Sequence, residues 1–402
     1  MLMITTPIHT REPRGRRYLF FLLYVVALGA FGSLVNDMYL PTLPDMMREF
    51  DTSPSMVQLS LTSVMLGLGT GGLFWGPVSD RYGRKSVLIA SLMLFCAATA
   101  VSLFSDNIYF FLWSRLFQGF GAGGAMILSR SIPADLYTGR DLAGIMALVG
   151  AVNGLAPAFG PMFGGLMADD CGWRGIFMVL LAIGMGMLIA SRWTKESLPF
   201  RRRVRRDLWS SFRNYRLLSR NRKFMFAVAV KCTVSGVLFA YISSAPFVIQ
   251  DHYGYSRLSF GLVFGLNAVA IAAGSVVSVK FRNVKAAMLA GTCGLLLFAV
   301  AESVAICCVD SFWVYESLVV LMLFFVGLNF SSSNTIAMET GACDVGAASA
   351  MLSAVGYAFG GIVAPLVGLG DNMLHSSSVA FICCAFVAVV LVVMDRHRAR
   401  HS

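Results

Sequence analysis

The chain has 402 residues, of which 57% are hydrophobic and 13% charged, and a formal net charge of +11. Charge at about half the level of a soluble domain excludes an ordinary water-soluble fold and points to an all-α integral membrane protein. The basic excess does not indicate nucleic acid, because it falls on alternate loops.

Apolar runs long enough to cross about 30 Å of hydrocarbon recur at 18–40, 55–76, 86–105, 108–131, 142–166, 173–192, 223–249, 258–280, 284–308, 312–336, 345–369 and 372–394. They predict twelve transmembrane helices, and the lack of period-2 alternation favours helices over a barrel. The first run follows Arg16 and Arg17 directly and has no small-residue cleavage site, so it reads as a retained span. A charge inside a span costs about 2.5–3.5 kcal/mol, which makes each such residue a functional candidate. Asp37 lies a turn before the end of the first run, where Pro41 can break the helix and admit water. Desolvation favours the neutral acid there, as a reversible proton carrier requires; the alternative is an interfacial acid that stays ionised and caps a loop.

The second run carries Gln58 and ends in Gly76-Pro77-Val78-Ser79-Asp80-Arg81-Tyr82-Gly83-Arg84-Lys85, a charged turn between nearly uncharged flanks. Asp80 and Arg84 are spaced i, i+4, and Asp135 closes the inner end of the fourth run. A relay Asp80–Arg84–Asp135 is expected to gate the cytoplasmic side and to hold the two halves in an outward-open state, with Gly76, Arg81, Gly83 and Lys85 shaping the turn. Asp80 has a second possible seat on the positive N-terminus of the helix starting near Val345 and Gly346, where Asp344 competes. Arg115, two turns into the fourth run, either partners Asp37, so that their separation sets proton affinity, or braces helix packing by bonding carbonyls. In the fifth run Pro157, Gly160, Pro161, Gly164 and Gly165 predict a kinked helix able to approach a neighbour closely.

The polar interval from Thr194 to Lys223 divides the chain into a six-helix bundle over 1–192, a linker over 193–222, a second six-helix bundle over 223–394 and a basic tail over 395–402. Asp207 to Leu218 within the linker has the rhythm of an amphipathic helix on the inner membrane surface, or is a solvated charged linker. Lys231, two turns into the seventh run, either snorkels to the headgroups or points into a central cavity, where it would favour neutral or anionic solutes. Glu302 and Glu316 lie nearer the ends of their runs. Nine cysteines include no CxxC or Cys/His pattern, so neither a disulfide framework nor a metal is implied.

Arg11, Arg14, Arg16, Arg17, the turn at Arg81 to Lys85, Arg130, Arg140, the linker, Lys280, Arg282, Lys285, Arg396, Arg398 and Arg400 fall on one side. Only Arg48, Arg174 and Arg257 fall on the other, with Asp45, Glu49, Asp51, Asp106, Asp169, Asp170, Asp251, Asp310 and Asp371. That asymmetry predicts both termini in the cytoplasm and contact of the basic face with anionic lipid. Phe31, Asn36, Tyr39, Gln58, Asn153, Lys231, Phe239, Tyr241, Asn267, Asn329 and Tyr357 are the candidate substrate-binding set, an aromatic lining with polar anchors. No phosphate loop, nucleophile–base pair or metal cluster supports an enzyme.

On these motifs the chain resembles the major facilitator superfamily, and within it the drug/proton antiporters of the Bcr/CflA (bicyclomycin-resistance) type. The likeness rests on the charged turn, Asp37-Met38-Tyr39-Leu40-Pro41, Arg115-Leu116-Phe117-Gln118-Gly119, the proline-glycine fifth helix, Gly172-Trp173-Arg174 and Tyr241-Ile242-Ser243-Ser244-Ala245-Pro246-Phe247. It implies proton-driven efflux of amphipathic compounds across the bacterial cytoplasmic membrane, with Asp37 as proton site and Arg115 as its partner. It also implies a functional monomer that needs no cofactor beyond the proton gradient. Gly29 stands where some related antiporters carry a second acid, which argues against a two-acid mechanism for cations. A dedicated proton-coupled transporter of a metabolite such as a nucleoside or amino acid fits the same scaffold.

Overall fold

The computed structural model describes residues 15–203, 215–340, 345–370 and 372–401. Arg11, Arg14, residues 207–214 of the expected amphipathic helix, Asp344 and Asp371 lie outside the described residues. Tyr215 to Leu218, the end of that stretch, are helical.

Among the described residues the regular structure is helical throughout. Helix α1 (Arg16–Asp37) is followed by a 3₁₀ turn at Leu40–Thr42 that carries Pro41, then by the short α2 (Leu43–Glu49). Ser53 caps α3 (Pro54–Tyr82), accepting from the Met56 amide at 3.3 Å. This helix stops at Gly83, whose φ of 100° only glycine adopts readily, and α4 (Arg84–Leu103) starts at once. Asn107 caps α5 (Ile108–Leu136). The 52-residue α6 (Gly139–Ala190) is broken at Gly172, with φ 59° and ψ −170°, between the fifth and sixth apolar runs. Beyond the linker come α7 (Arg222–Phe247), which continues into a π turn at Val248–His252, α8 (Arg257–Ser278) and α9 (Val284–Cys308). The last three are α10 (Phe312–Thr340), α11 (Val345–Val367) and α12 (Met373–His401).

Ten of these segments are long and apolar enough to cross a membrane. Helix α5 is not among the ten although it has 29 residues, because Arg115, Gln118, Arg130 and its glycines dilute its hydropathy. Side chains such as Trp113, Leu297, Val304 and Phe386 are more than half exposed, an outward apolar surface that suits lipid.

In the first half α5 packs on α1, α3 and α4, and α6 packs on α1 and α4; in the second, α10 packs on α7, α8 and α9, and α12 on α7 and α9. The halves meet along α3 with α11 and α6 with α8. Close approach there requires glycine. A Cβ on Gly165 would overlap the Arg257 carbonyl of α8, and one on Gly261 the Pro161 carbonyl of α6.

Candidate functional site

A cavity of about 310 Å³ lies between the halves. Its wall takes Asn36 and Asp37 from the end of α1, Asn153 and Pro157 from α6, Lys231, Phe239 and Tyr241 from α7, Asn267 from α8 and Tyr357 from α11. Seven of the eleven expected substrate contacts therefore face it. The other four do not, because each is committed elsewhere. Phe31 packs edge-on against Phe95 with centroids 4.5 Å apart, and the Tyr39 hydroxyl lies 2.8 Å from Ser60 Oγ. Gln58 donates to the Ser243 carbonyl at 2.9 Å, and Asn329 to the Phe325 carbonyl at 2.9 Å. Phe264 and Phe330 line the cavity instead. Aromatic residues facing inward from α8 and α10 look in sequence like any lipid-facing phenylalanine.

Asp37 is 3% exposed, and Asn36 Nδ2 donates to its Oδ1 at 2.6 Å. Glycines of α6 admit the end of α1: a Cβ on Gly160 would stand 3.2 Å from Asp37 Cβ, and one on Gly164 would overlap the Met38 carbonyl. Arg115 is fully buried on the adjoining α5, and among the described residues it forms no ion pair with Asp37. Its guanidinium donates to Gln118 Oε1 and, at 3.2 Å, to the Val35 carbonyl, and it stacks 4.2 Å from the Tyr39 ring centre. Of the two roles open to Arg115, the geometry in this state is that of the brace.

Lys231 lines the cavity, donating to Asn334 Oδ1 at 2.6 Å with the Phe330 ring 4.8 Å away. The cavity thus holds a carboxyl toward one end of the helices and an ammonium toward the other. Gly29 faces Asn153, whose Oδ1 would be 3.4 Å from an added Cβ.

The two ends of the molecule are pinned differently. At the basic end, Arg84 pairs with Asp80 at 2.7 Å and Asp135 at 2.8 Å, joining α3, α4 and α5 within the first half. Glu196, which sequence reasoning passed over, receives the Arg84 amide at 2.8 Å and the Lys85 amide at 3.3 Å, a carboxylate on the positive end of α4. Lys85 Nζ donates to the Thr194 carbonyl at 2.8 Å, and a Cβ on Gly83 would collide with Arg203 and Glu196. Val345 and Gly346, the expected second seat for Asp80, begin α11, and the expected competitor Asp344 lies outside the described residues.

At the acidic end three ion pairs cross between the halves, while Arg174 with Glu49 and His252 with Asp310 stay within one. Arg257 of α8 pairs with Asp45 at 2.7 Å and also with Asp169, and Arg48 pairs with Asp251 at 2.7 Å. Gln250 donates to the Pro41 carbonyl at 3.1 Å. The three arginines set apart in the sequence as exceptions to the basic side include two of these pins. Toward the basic end α6 packs on α1 through Ile145 and Val149, while a Cβ on Gly144, Gly150 or Gly154 would meet nothing within 4 Å. One link near that end, Arg130 to Ser349 Oγ at 2.9 Å, runs from α5 to α11.

Residues 20–365 match the family described as Major Facilitator Superfamily. The chain is 35% identical over 380 residues to a Bacillus subtilis protein named Uncharacterized MFS-type transporter YdgK, covering 91% of this chain and 92% of that protein. It is 28% identical over 371 residues to a Haemophilus influenzae protein named Bicyclomycin resistance protein homolog, covering 86% and 88%. Among solved structures, a D-xylose-proton symporter superposes with a TM-score of 0.70 over 93% of this chain and 97% of that one, at 16% identity, a likeness of fold.

Proposed function

The chain belongs to the major facilitator superfamily, and from that membership we propose that it exports small amphipathic compounds in exchange for protons by alternating access. It is a transporter and not an enzyme, a multi-pass protein of the bacterial cytoplasmic membrane. We read twelve crossings, adding α5 and the second arm of α6 to the ten apolar segments, with both termini cytoplasmic under the positive-inside rule. The halves at 1–192 and 223–394 are then the two rocking bundles, and the substrate sits between them near mid-membrane. On this orientation the acidic end is external and closed, and the cavity is entered from the cytoplasm.

The observation that carries the reading is Asp37, a buried carboxyl opening onto an aromatic cavity of a size suited to a small ligand. Solute and proton compete there: a proton neutralises Asp37 in its desolvated seat, and rehydration after the bundles rock lets it leave. The name of the Haemophilus influenzae relative supports a drug among the substrates. Lys231 in the cavity wall favours neutral or anionic solutes over lipophilic cations.

Everted membrane vesicles test this. Bicyclomycin and a panel of unrelated amphipathic drugs should each discharge the proton gradient, and Asp37→Asn should abolish uphill efflux while drug binding stays detectable. A response to one metabolite alone would make the protein a dedicated transporter, and full proton-coupled transport by Asp37→Asn would remove the carboxyl from its role.

A further inference from the structure

The second half holds two carboxyls to which the reading above gives no work. Glu316 of α10 is 5% exposed and Glu302 of α9 is fully buried. Their hydrogen-bond partners are neutral: Asn267 Nδ2 donates to Glu316 Oε1 at 2.7 Å and Ser378 Oγ to Glu302 Oε1 at 3.0 Å. No cation pairs with either among the described residues. Tyr315, next to Glu316 in the chain, is 1% exposed, and its ring centre lies 5.9 Å from that of Tyr253. Tyr253 in turn packs edge-on against His252, whose Nε2 lies 3.1 Å from Asp310 Oδ1 at the acidic surface. Glu316 Oε2, Glu302 Oε2, the Tyr315 hydroxyl and Asn267 Oδ1 are all buried without a partner. A buried, unpaired carboxylate costs several kcal/mol, whereas a carboxylic acid in the same place needs only an acceptor for its hydrogen.

Asn267 can supply either need. Its Nδ2 donates at 2.7 Å both to Glu316 Oε1 and to the Tyr241 hydroxyl oxygen, and both Asn267 and Tyr241 line the cavity. With Nδ2 so placed, Glu316 is held as a carboxylate, and the Tyr241 hydroxyl, an acceptor from Asn267, turns its own hydrogen elsewhere. Rotating the amide by half a turn brings Oδ1 between the same groups. An acid at Glu316 and the hydroxyl of Tyr241 then both donate to it, and Tyr241 offers the cavity only lone pairs. The proton on Glu316 thereby sets whether the cavity wall donates or accepts at Tyr241.

We propose that Glu316 is a second proton-binding site, in the opposite bundle from Asp37, read out to the cavity through Asn267 and Tyr241. A solute whose carbonyl, nitro or ether oxygen takes the Tyr241 hydrogen selects the amide orientation that stabilises the Glu316 carboxylate, and so expels its proton. That is the sign an antiporter requires. The acids Glu302 and Asp310 and the phenols Tyr315 and Tyr253 extend from Glu316 toward the external surface as the route for that proton. The proposal rests on the proton-exchange reading above.

The test is the number of protons released when bicyclomycin saturates the purified full-length protein in weakly buffered detergent solution, followed by a pH indicator. Glu316→Gln should release one proton fewer than wild type, Asp37→Asn likewise, and the double variant none. Tyr241→Phe, which keeps the carboxyl but loses the hydroxyl that meets the solute, should need more bicyclomycin to saturate and, once saturated, release one proton fewer, so the outcome does not hang on recovering Glu316→Gln. Binding should also abolish a protonated-carboxyl infrared band that Glu316→Gln lacks. Undiminished release from Glu316→Gln or from Tyr241→Phe overturns this inference alone. No release from wild type that binds bicyclomycin overturns the exchange reading, and this inference with it.

Discussion

Ion pairs are plentiful at both ends of this protein, yet among the described residues those that join the two bundles to each other all lie at the acidic end, where others such as Arg174–Glu49 and His252–Asp310 stay within one half. Arg84 is buried between Asp80 and Asp135, a compact block of α3, α4 and α5 to which the linker is docked by Glu196. Arg257, about a third exposed, reaches across to Asp45 and Asp169 from a helix whose backbone comes closest to α6 at Gly165 and Gly261. Rearranging the first set would unpack a bundle. Breaking the second would let two intact bundles rotate, and solvent-exposed pairs cost little to break. Under the alternating-access reading proposed above, this difference makes the acidic end the gate that opens in the next step of the cycle, and the relay of the charged turn a brace for the bundle that moves.

The comparison breaks most sharply at the glycine contact. Gly165→Ala puts a methyl group into the Arg257 carbonyl, an overlap with backbone that no rotamer change relieves. Overpacking of this kind costs about 1–3 kcal/mol, so the acidic end should shift toward open by roughly fivefold to 150-fold. Spin labels placed at Asp106 and Asp310, in a background whose nine cysteines are replaced by serine, would report the shift as a longer distance population. An unchanged distribution would mean that α6 and α8 are not what closes this end. Next in size comes Arg257→Gln, which removes both cross-bundle pairs at α8 but leaves Arg48 with Asp251. For partly exposed pairs we expect about 1 kcal/mol, a roughly fivefold shift in the same distance population that fades in wild type as salt is raised. A shift equal to that of Gly165→Ala would place the closure in charge instead of packing.

Much of this arrangement was legible in the sequence, and what was not has a physical cause. Helix starts agree with the apolar runs because Ser53, Asn107, Asn221 and Ser256 cap where hydropathy rises. Helix ends were read short: α3 runs to Tyr82 and α5 to Leu136, since a helix keeps its hydrogen bonds after leaving the hydrocarbon. Asp37 stood out because a lone acid in an apolar run is costly wherever it points. Phe31, Tyr39, Gln58 and Asn329 could not be told from cavity residues, because orientation about a helix axis is set by neighbours that composition does not reveal. The same holds for Glu316, whose significance lies in a contact with a residue 49 positions away. Arg48 and Arg257 looked like exceptions to a topology rule; their role needs the partner half in view.

The smallest expected effect sharpens the comparison from the other side. Glu196→Gln removes the charge that faces the first amides of α4 while keeping an oxygen to accept them, so the loss is the interaction of a carboxylate with a helix N-terminus plus its weak pair with Arg203 at 3.5 Å. Such contributions amount to about 0.3–1 kcal/mol. Because Glu196, Arg84, Lys85 and Arg203 all belong to the first half and its linker, the Asp106–Asp310 label distances should not move, although the thermal unfolding midpoint of the detergent-solubilised protein should fall by about a degree or less. A shift in the distances comparable to that of Arg257→Gln would show that this network does couple the bundles, and that the relay is part of the gate and not a brace beneath it.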